Sequence, residues 1–414
     1  MLRRSIGSLL LALATVLTPA EAAPAATVGV RGTTIVVDGR PFFIRGAAGT
    51  TRLAMLKDLG ANTVRTYGDD PGPVLDEAAR VGLKVIVGLW LEPPRRGFDY
   101  ADPAAVNAQL DRLRAEVQRH KDHPALLMWG IGNEVEAELT DGARVWPAIE
   151  DAARMVKSVD PNHPTMAVLQ EAGDGKVRKI RDLAPSIDVL GVNSYGDAVR
   201  TLPARVRAQQ WTGPLIVAEL GALGEWQAGR TPWGAAIEPT STDKARLMRQ
   251  YLAVSANPEF AGQIVFYWGQ KQEVTPTWYG LFLPDGDWTE PLEAMARAWY
   301  GRTPGGNRAP RIAALSLQGD PSRDGTSPRR AALRAFDPDG DALTVRWQVL
   351  AESTDRHRSG DPESVPPDHS DAIRDADAEG ARLDRLAPGN YRIFVYVRDP
   401  KGAAATGNLP FQVR

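Results

Sequence analysis

The chain has 414 residues, 43% of them apolar, enough for a sizeable core and for two or three domains. Its 49 Lys and Arg nearly balance 51 Asp and Glu, and a net charge of -2 gives nucleic acid or an anionic membrane no electrostatic hold. With no cysteine there is no disulfide, thiolate metal site or cysteine nucleophile, so packing must stabilise the fold.

The N-terminus, MLRRSIGSLLLALATVLTPAEAAPA, places Arg3 and Arg4 before an apolar stretch from Ile6 to Leu17 and then small residues. This is the pattern of a cleaved export signal over residues 1–23, and the apolar stretch is short for a membrane span. A periplasmic or secreted protein with no stable membrane anchor after cleavage is expected.

From Gly32 to about Tyr300 a short apolar run, a polar or glycine-containing junction and a helix-like segment recur. The runs are PFFIRG (41–46), NTVRTYG (62–68), LKVIVGLWLE (83–92), ALLMWGIGNE (125–134), PTMAVLQE (164–171), DVLGVNSYG (188–196), PLIVAELG (214–221) and GQIVFYWGQ (262–270). Near-continuous apolar strands suit a parallel sheet buried on both faces. Between them, DPAAVNAQLDRLRAEVQRHKD predicts a helix with Asp102 as N-cap and Pro103 at its first position. Eight such units predict an α/β fold, a TIM (β/α)8 barrel over residues 24–302, with TTIVVDGRPF as a small hairpin across its bottom. An open doubly wound sheet is the alternative. It would call for a glycine-rich phosphate turn after the first strand, and RGAAGTT lacks that spacing.

At YGRTPGGNRAP the repeat stops, which marks a linker at 303–309. Polar and apolar residues then alternate in RIAALSL, AALRAFDPDGDALTVRWQVL and NYRIFVYVRDPKGAAATGNLPFQVR, predicting a small all-β immunoglobulin-like sandwich over 310–414. The charged stretch 352–380 is expected to loop out between its halves.

In such a barrel, polar residues at strand C-termini face the one place where a substrate meets several loops. The candidates in strand order are Arg65 and Tyr67, Trp90 and Glu92, Asn133 and Glu134, Gln170 and Glu171, Asn193 and Tyr195, Glu219, then Trp268 and Gln270. Glu134 and Glu219 come from opposite sides of the mouth, and paired carboxylates are what glycosidic cleavage needs. An acid left near apolar walls such as Trp129 would stay protonated longer, while an arginine beside the other would keep it charged. The bland readings are a helix-start acid at Glu134, solvated acids at Glu136 and Glu138, loop ion pairs at Glu92 and Glu171, and a structural ion pair at Arg65.

Trp90, Trp226, Trp233, Trp268 and Trp278 fall at or beyond strand ends, where sugar faces stack. The segments 225–239 and 269–280 are long enough to wall a cleft, which favours a poly- or oligosaccharide over a monosaccharide. No histidine stands at a strand mouth, and no G-x-S-x-G elbow occurs, so no metal and no serine nucleophile is expected. Asp337, Asp339 and Asp341 alternate as hard-cation ligands do, although Asp-Gly turns share that spacing.

FFIRGAAG, GANTVRTYG, GNEVE, VNSYG and IVAELG resemble the retaining (β/α)8-barrel glycoside hydrolases with glutamates on strands four and seven. The resemblance covers residues 40–300 and is nearest to the glycoside hydrolase family 2 catalytic barrel and the fungal β-1,3-glucanosyltransferases. It implies Glu134 as general acid/base and Glu219 as nucleophile. It also implies Asn133 on the substrate 2-hydroxyl, Arg65 and Tyr195 holding the nucleophile ionised, and Trp268 as the aromatic floor of the sugar subsite. With Tyr67, Trp90, Asn193 and Trp226 these are the expected substrate-binding residues. DPDGD and RDPKG resemble turns of cadherin-like and polycystic-kidney-disease-type sandwiches. The expectation is an exported retaining β-glycoside hydrolase, free of cofactor, acting by double displacement on a β-linked glucan or oligosaccharide. A β-glucan transglycosylase on the same site, or a non-catalytic carbohydrate-binding barrel, are the alternatives.

Overall fold

A computed structural model of the chain describes residues 27–139, 144–173, 175–318, 329–357, 360–384 and 386–414. Residues 1–23, where an export signal is expected, lie outside the described residues. Among the described residues, no helix is long and apolar enough to cross a membrane.

A three-stranded antiparallel meander, β1 (Val28–Arg31), β2 (Thr34–Val37) and β3 (Arg40–Pro41), leads the fold. Then β4 (Ile44–Ala48), β5 (Thr63–Arg65), β6 (Lys84–Leu89), β7 (Leu126–Ile131), β8 (Thr165–Leu169), β9 (Val189–Tyr195), β10 (Leu215–Gly221) and β11 (Gly262–Val265) close a parallel barrel. Each strand overlaps one of the eight apolar runs. The connecting helices are α1 (Leu53–Asp58), α2 (Gly72–Val81), α3 (Pro103–His120), α4 (Val145–Val159), α5 (Lys176–Leu183), α6 (Ala198–Arg207), α7 (Ser241–Ser255) and α8 (Glu290–Tyr300). Asp102 caps α3 as predicted, its carboxylate accepting from Ala104 N at 2.9 Å.

Side chains alternate between two cores. Ile44, Ile86, Met128, Met166, Ile216 and Ile264 fill the barrel, and Val28, Ile35 and Val37 of the meander join that cluster. Val64, Val87, Trp129, Ala167 and Val217 point outward against the helices. The alternation breaks once in β10. Leu215 and Val217 face outward, the next outward residue is Leu220, and the register against both neighbours slips between Val217 and Glu219 or Leu220. A β-bulge of this kind adds one residue and re-aims a side chain. Without it Glu219 would share the outward face of Val217.

Two four-stranded sheets, with every strand but β12 lying after α8, form the sandwich. One orders β12 (Trp288–Thr289), β19 (Ala403–Val413), β18 (Gly389–Arg398) and β15 (Thr344–Ala351); the other orders β13 (Arg311–Gln318), β14 (Arg329–Phe336), β17 (Gly380–Leu383) and β16 (Ile373–Arg374). Ile312, Leu333, Val349, Ile393, Val395 and Phe411 pack between them.

The sandwich is joined to the barrel by more than the chain. β12 precedes α8 of the barrel yet pairs with β19 of the sandwich. In the predicted linker, Asn307 donates to Asp399 Oδ2 at 2.6 Å and Ala309 N to Glu293 Oε2 at 3.0 Å. At the centre of the junction, buried Glu238 takes an ion pair from Lys244, hydroxyl donors from Thr275 and Thr277, and Asn408 Nδ2 at 2.6 Å.

The charged stretch 352–380 corrects the expectation that it loops out. Asp361 pairs with both Arg95 and Arg96 beyond β6, Lys271 Nζ donates to Gly360 O at 2.8 Å, and Glu363 Oε2 accepts from Val274 N at 2.7 Å. Complementary charge folds it back onto the mouth of the barrel.

Lys244→Met leaves Glu238 buried without its cation, which costs about 3–5 kcal/mol. Chemical denaturation followed separately through barrel and sandwich signals should show both transitions falling together; a sandwich transition unaffected by the substitution would contradict the coupled junction.

Candidate active site

Arg65 ends β5 with 3% of its surface exposed. Its Nη1 donates to Ala218 O at 2.7 Å and lies 3.4 Å from Glu219 Oε1, while Nη2 donates to Asn133 Oδ1 at 2.7 Å. Ala218 is the residue at the bulge, so the guanidinium satisfies a carbonyl where the ladder is disrupted.

Glu219 receives further donors on both oxygens: Tyr67 OH on Oε1 at 2.8 Å and Tyr195 OH on Oε2 at 2.8 Å. Burial first, with the Glu219 charge adding to it, raises both phenols well above the usual tyrosine range. They therefore stay protonated and serve as donors to a carboxylate.

Glu134 lies past the end of β7, where Gly132 turns with φ +66° and a Cβ would sit 2.4 Å from Val135. Glu134 itself has φ +49°, an uncommon conformation for a non-glycine residue, and is held at both backbone atoms. Its N–H donates to Val168 O at 3.0 Å, and its carbonyl accepts from Arg95 Nη1 at 2.8 Å. Oε1 accepts from Asn193 Nδ2 at 2.6 Å. Burial, then repulsion from Glu219, raises its pKa to about 8. One carboxylate thus sits among three cationic or hydroxyl donors, and the other is poised to hold a proton near neutrality.

Around the pair, Tyr195 meets Trp226 and Tyr279 edge-on, each at 5.5 Å between centroids, and Phe266 lies 6.4 Å from Tyr67. Trp226 is 60% exposed, an open aromatic face beside the carboxylates. Trp90 stands partly exposed under the Arg96 guanidinium at 5.1 Å.

Of the sequence candidates, Arg65, Tyr67, Asn133, Glu134, Asn193, Tyr195 and Glu219 form one hydrogen-bonded network. Trp226 and Trp90 lie at its margins. Trp268 does not join it: it is 0% exposed, packs on Phe282 at 4.9 Å and donates Nε1 to Thr51 O. Past Val265 the chain keeps its barrel partners, Phe266 N donating to Leu220 O at 3.0 Å and Trp268 N to Ala48 O at 2.8 Å, while Tyr267 pairs in addition with Tyr279 and Leu281, so simple strand alternation no longer dictates which side chains face inward. Phe266 and Tyr267 pack with Tyr67 and Tyr195 in place of Trp268. Trp278 is also buried, donating to Leu223 O.

Two further expectations change. Trp129 faces the helices and donates to Asp160, so burial by other groups raises the Glu134 pKa. Glu136 is buried, with Lys176 Nζ at 3.3 Å and Gln170 N at 3.0 Å, because a turn follows Glu134 and α4 begins only at Val145. Glu171 takes the loop ion-pair reading, with Arg205 as its partner. The residues overlooked in sequence are Tyr279, Phe266 and Arg95. The aromatic pair in WYG was a usable signal for Tyr279, but nothing local marks Arg95.

The carboxylates of Asp337, Asp339 and Asp341 offer oxygens within 4.8 Å of one another. Arg308 pairs with Asp339 and Lys401 with Asp341, and Asp337 Oδ1 accepts the N–H groups of the other two. This is a closed Asx turn with its own cations.

Residues 52–222 match the family model described as glycosyl hydrolases family 2, TIM barrel domain. The chain carries a family 2-like glycosyl hydrolase barrel. It is similar to β-glucuronidase of Sus scrofa, 28% identical over 193 residues that make up 41% of this chain and 27% of that protein. A β-galactosidase of Bacteroides ovatus is 27% identical over 198 residues, 38% of this chain and 23% of that one. The structure of Bifidobacterium dentium β-glucuronidase complexed with coumarin-3-O-glucuronide superposes with a TM-score of 0.51 and 20% identity over 67% of this chain and 50% of that one. Bacteroides uniformis β-glucuronidase 2 superposes with a TM-score of 0.52 and 15% identity over 94% of this chain and 48% of that one. This chain therefore spans about a quarter of the length of the curated relatives it matches. The family 2-like barrel places Glu134 and Glu219 past the fourth and on the seventh of its strands.

The field at Glu134 has contributors from several elements: Glu219 on β10, Glu136 in its own turn, Asn193 on β9, and Arg95 beyond β6, which Asp361 partly neutralises. With a protonated Glu134 as the active form, activity should fall as pH rises through about 8. Asp361→Asn, by freeing the Arg95 charge, should move that alkaline limb to lower pH, and Arg95→Met should move it higher. Profiles of kcat/KM against pH check both signs; limbs that shift together, or not at all, would exclude this coupling.

Proposed function

We propose that the protein is an exported retaining β-glycoside hydrolase acting by double displacement. The observation that carries this reading is the unequal pair of buried carboxylates, one clamped by Arg65, Tyr67 and Tyr195 and the other with its pKa raised to about 8. Glu219 attacks the anomeric carbon while Glu134 protonates the departing glycosidic oxygen. Glu134, now a carboxylate, takes a proton from water, whose oxygen attacks the anomeric carbon and releases Glu219. Asn133, held by Arg65 with its Oδ1, stands beside both acids and hydrogen-bonds the sugar. The leader-like N-terminus supports export.

We infer a neutral β-linked glucan or oligosaccharide as substrate. The relatives are β-glucuronidases and β-galactosidases, and a uronate would call for an uncommitted cation at the mouth. Here Arg65, Arg96 and Lys271 are each engaged with a carboxylate, and Arg95 lies 3.6 Å from Asp361. Trp226 offers the open aromatic face that a pyranose ring stacks on.

Reducing-sugar release and product size from soluble β-glucans, alongside 4-nitrophenyl β-glucoside, β-galactoside and β-glucuronide, test the reading. Short products from a neutral substrate, with the β-anomer formed first by NMR and activity lost in Glu219→Gln, are expected. Glu134→Gln should lower kcat/KM by about 10²–10⁴-fold, most for poor leaving groups. Products longer than the substrate would redirect the conclusion to transglycosylation, preferential cleavage of the glucuronide would overturn the neutral-sugar reading, and glycan binding without turnover would overturn catalysis.

A further inference from the structure

A cleft of about 590 Å³ opens between the 225–239 segment of the barrel and the sandwich, away from the two carboxylates. Its volume lies within the range of small-ligand sites. Trp233 and Arg230 contribute from the barrel side, and Arg356, His369, Asn390 and Tyr391 from the sandwich. We propose that this cleft is a second carbohydrate-binding site, one that holds a distal stretch of the same neutral β-linked glycan whose end or interior is cleaved at Glu134 and Glu219. The proposal rests on the glycosidase reading for the identity of its ligand, but not for the existence of the site.

The lining has the two kinds of surface a sugar requires. Trp233 supplies an aromatic ring, and the His369 ring packs edge-on against Tyr391 at 5.2 Å. Such rings cover the apolar face of a pyranose, and polar side chains around them fix its hydroxyls. One buried donor, Trp233 Nε1, lacks an acceptor, and a hydroxyl oxygen is a fitting partner for it.

Charge then selects among ligands. Arg230 pairs with Glu225 at 2.8 Å, Glu352 with Arg392 at 2.7 Å, and Arg356 lies 3.5 Å from Glu225 and 3.4 Å from Glu363. The ions of the cleft are thus balanced internally. An anionic ligand would have to break such a pair, whereas a neutral glycan leaves them all intact.

Continuity with the catalytic centre favours one glycan across both sites. Glu225 N donates to Tyr279 OH at 3.3 Å, Tyr279 and Trp226 both pack on Tyr195, and Tyr195 donates to Glu219. The same short segment that presents Trp226 at the carboxylates goes on to present Arg230 and Trp233 in the cleft. A glycan lying along 225–239 would meet Trp226 first and the barrel-sandwich junction next.

Trp233→Ala, with Asn390→Ala as a second variant on the sandwich side, tests the site in the full chain. Turnover of the 4-nitrophenyl β-glycosides, too short to reach the cleft, should be unchanged. On soluble β-1,3-, β-1,4- and β-1,6-glucans kcat/KM should fall about tenfold, through KM rather than kcat. Calorimetric titration of the same glucans into Glu219→Gln should show a comparable loss of affinity when Trp233→Ala is added. Unchanged KM on every glucan, or an equal loss on aryl glycosides and glucans alike, would overturn the proposal. If the unaltered chain cleaves nothing but binds a glucan through Trp233, the catalytic reading fails and the cleft stands. A chain that neither binds nor cleaves any of these glycans overturns both.

Discussion

A guanidinium cannot be withdrawn from water unless its donors and charge are met, and Arg65 is buried at the centre of the barrel mouth. What meets it is the active constellation itself: the bulge carbonyl of Ala218, the Glu219 carboxylate and the Asn133 side chain. One residue on β5 therefore ties β10 to the turn after β7. The tyrosines complete the clamp from β9 and from just beyond β5, so Glu219 on β10 is held from two other strands. Glu134 has a different environment, one amide donor and a repelling neighbour, so two chemically identical side chains sit in unlike surroundings.

The second organising feature is the junction between barrel and sandwich. β12 pairs with β19, Glu238 gathers donors from both parts, and the 360–363 segment returns to the mouth through Arg95, Arg96, Lys271 and Val274. A sandwich so attached is in a position to affect the site. Arg95, which holds the Glu134 carbonyl, also pairs with Asp361 of that segment. The cleft opens at the same junction.

Particular residues show where sequence reading succeeds and fails. Asp102 and Pro103 announced a helix start because capping is local, and the apolar runs announced strands because a sheet buried on both faces admits little else. Trp268 misled because the chain around it answers to two partners: Trp268 N bonds Ala48 O of the barrel while Tyr267 pairs with Tyr279 and Leu281, so its facing depends on a distant segment. Glu136 misled in the same way, since Lys176, forty positions on, is what makes its burial tolerable.

The order of strands and helices, the eightfold repeat and the presence of glutamates at the fourth and seventh strand ends were determined by the sequence alone, since periodicity and capping act over a few residues. The inward aim of Glu219 was decided by a bulge in β10 that only the neighbouring strands define. The raised pKa of Glu134, the recruitment of Arg95 and the cleft at the junction were decided by tertiary structure, because burial and charge at a point in space sum contributions from residues far apart in the chain.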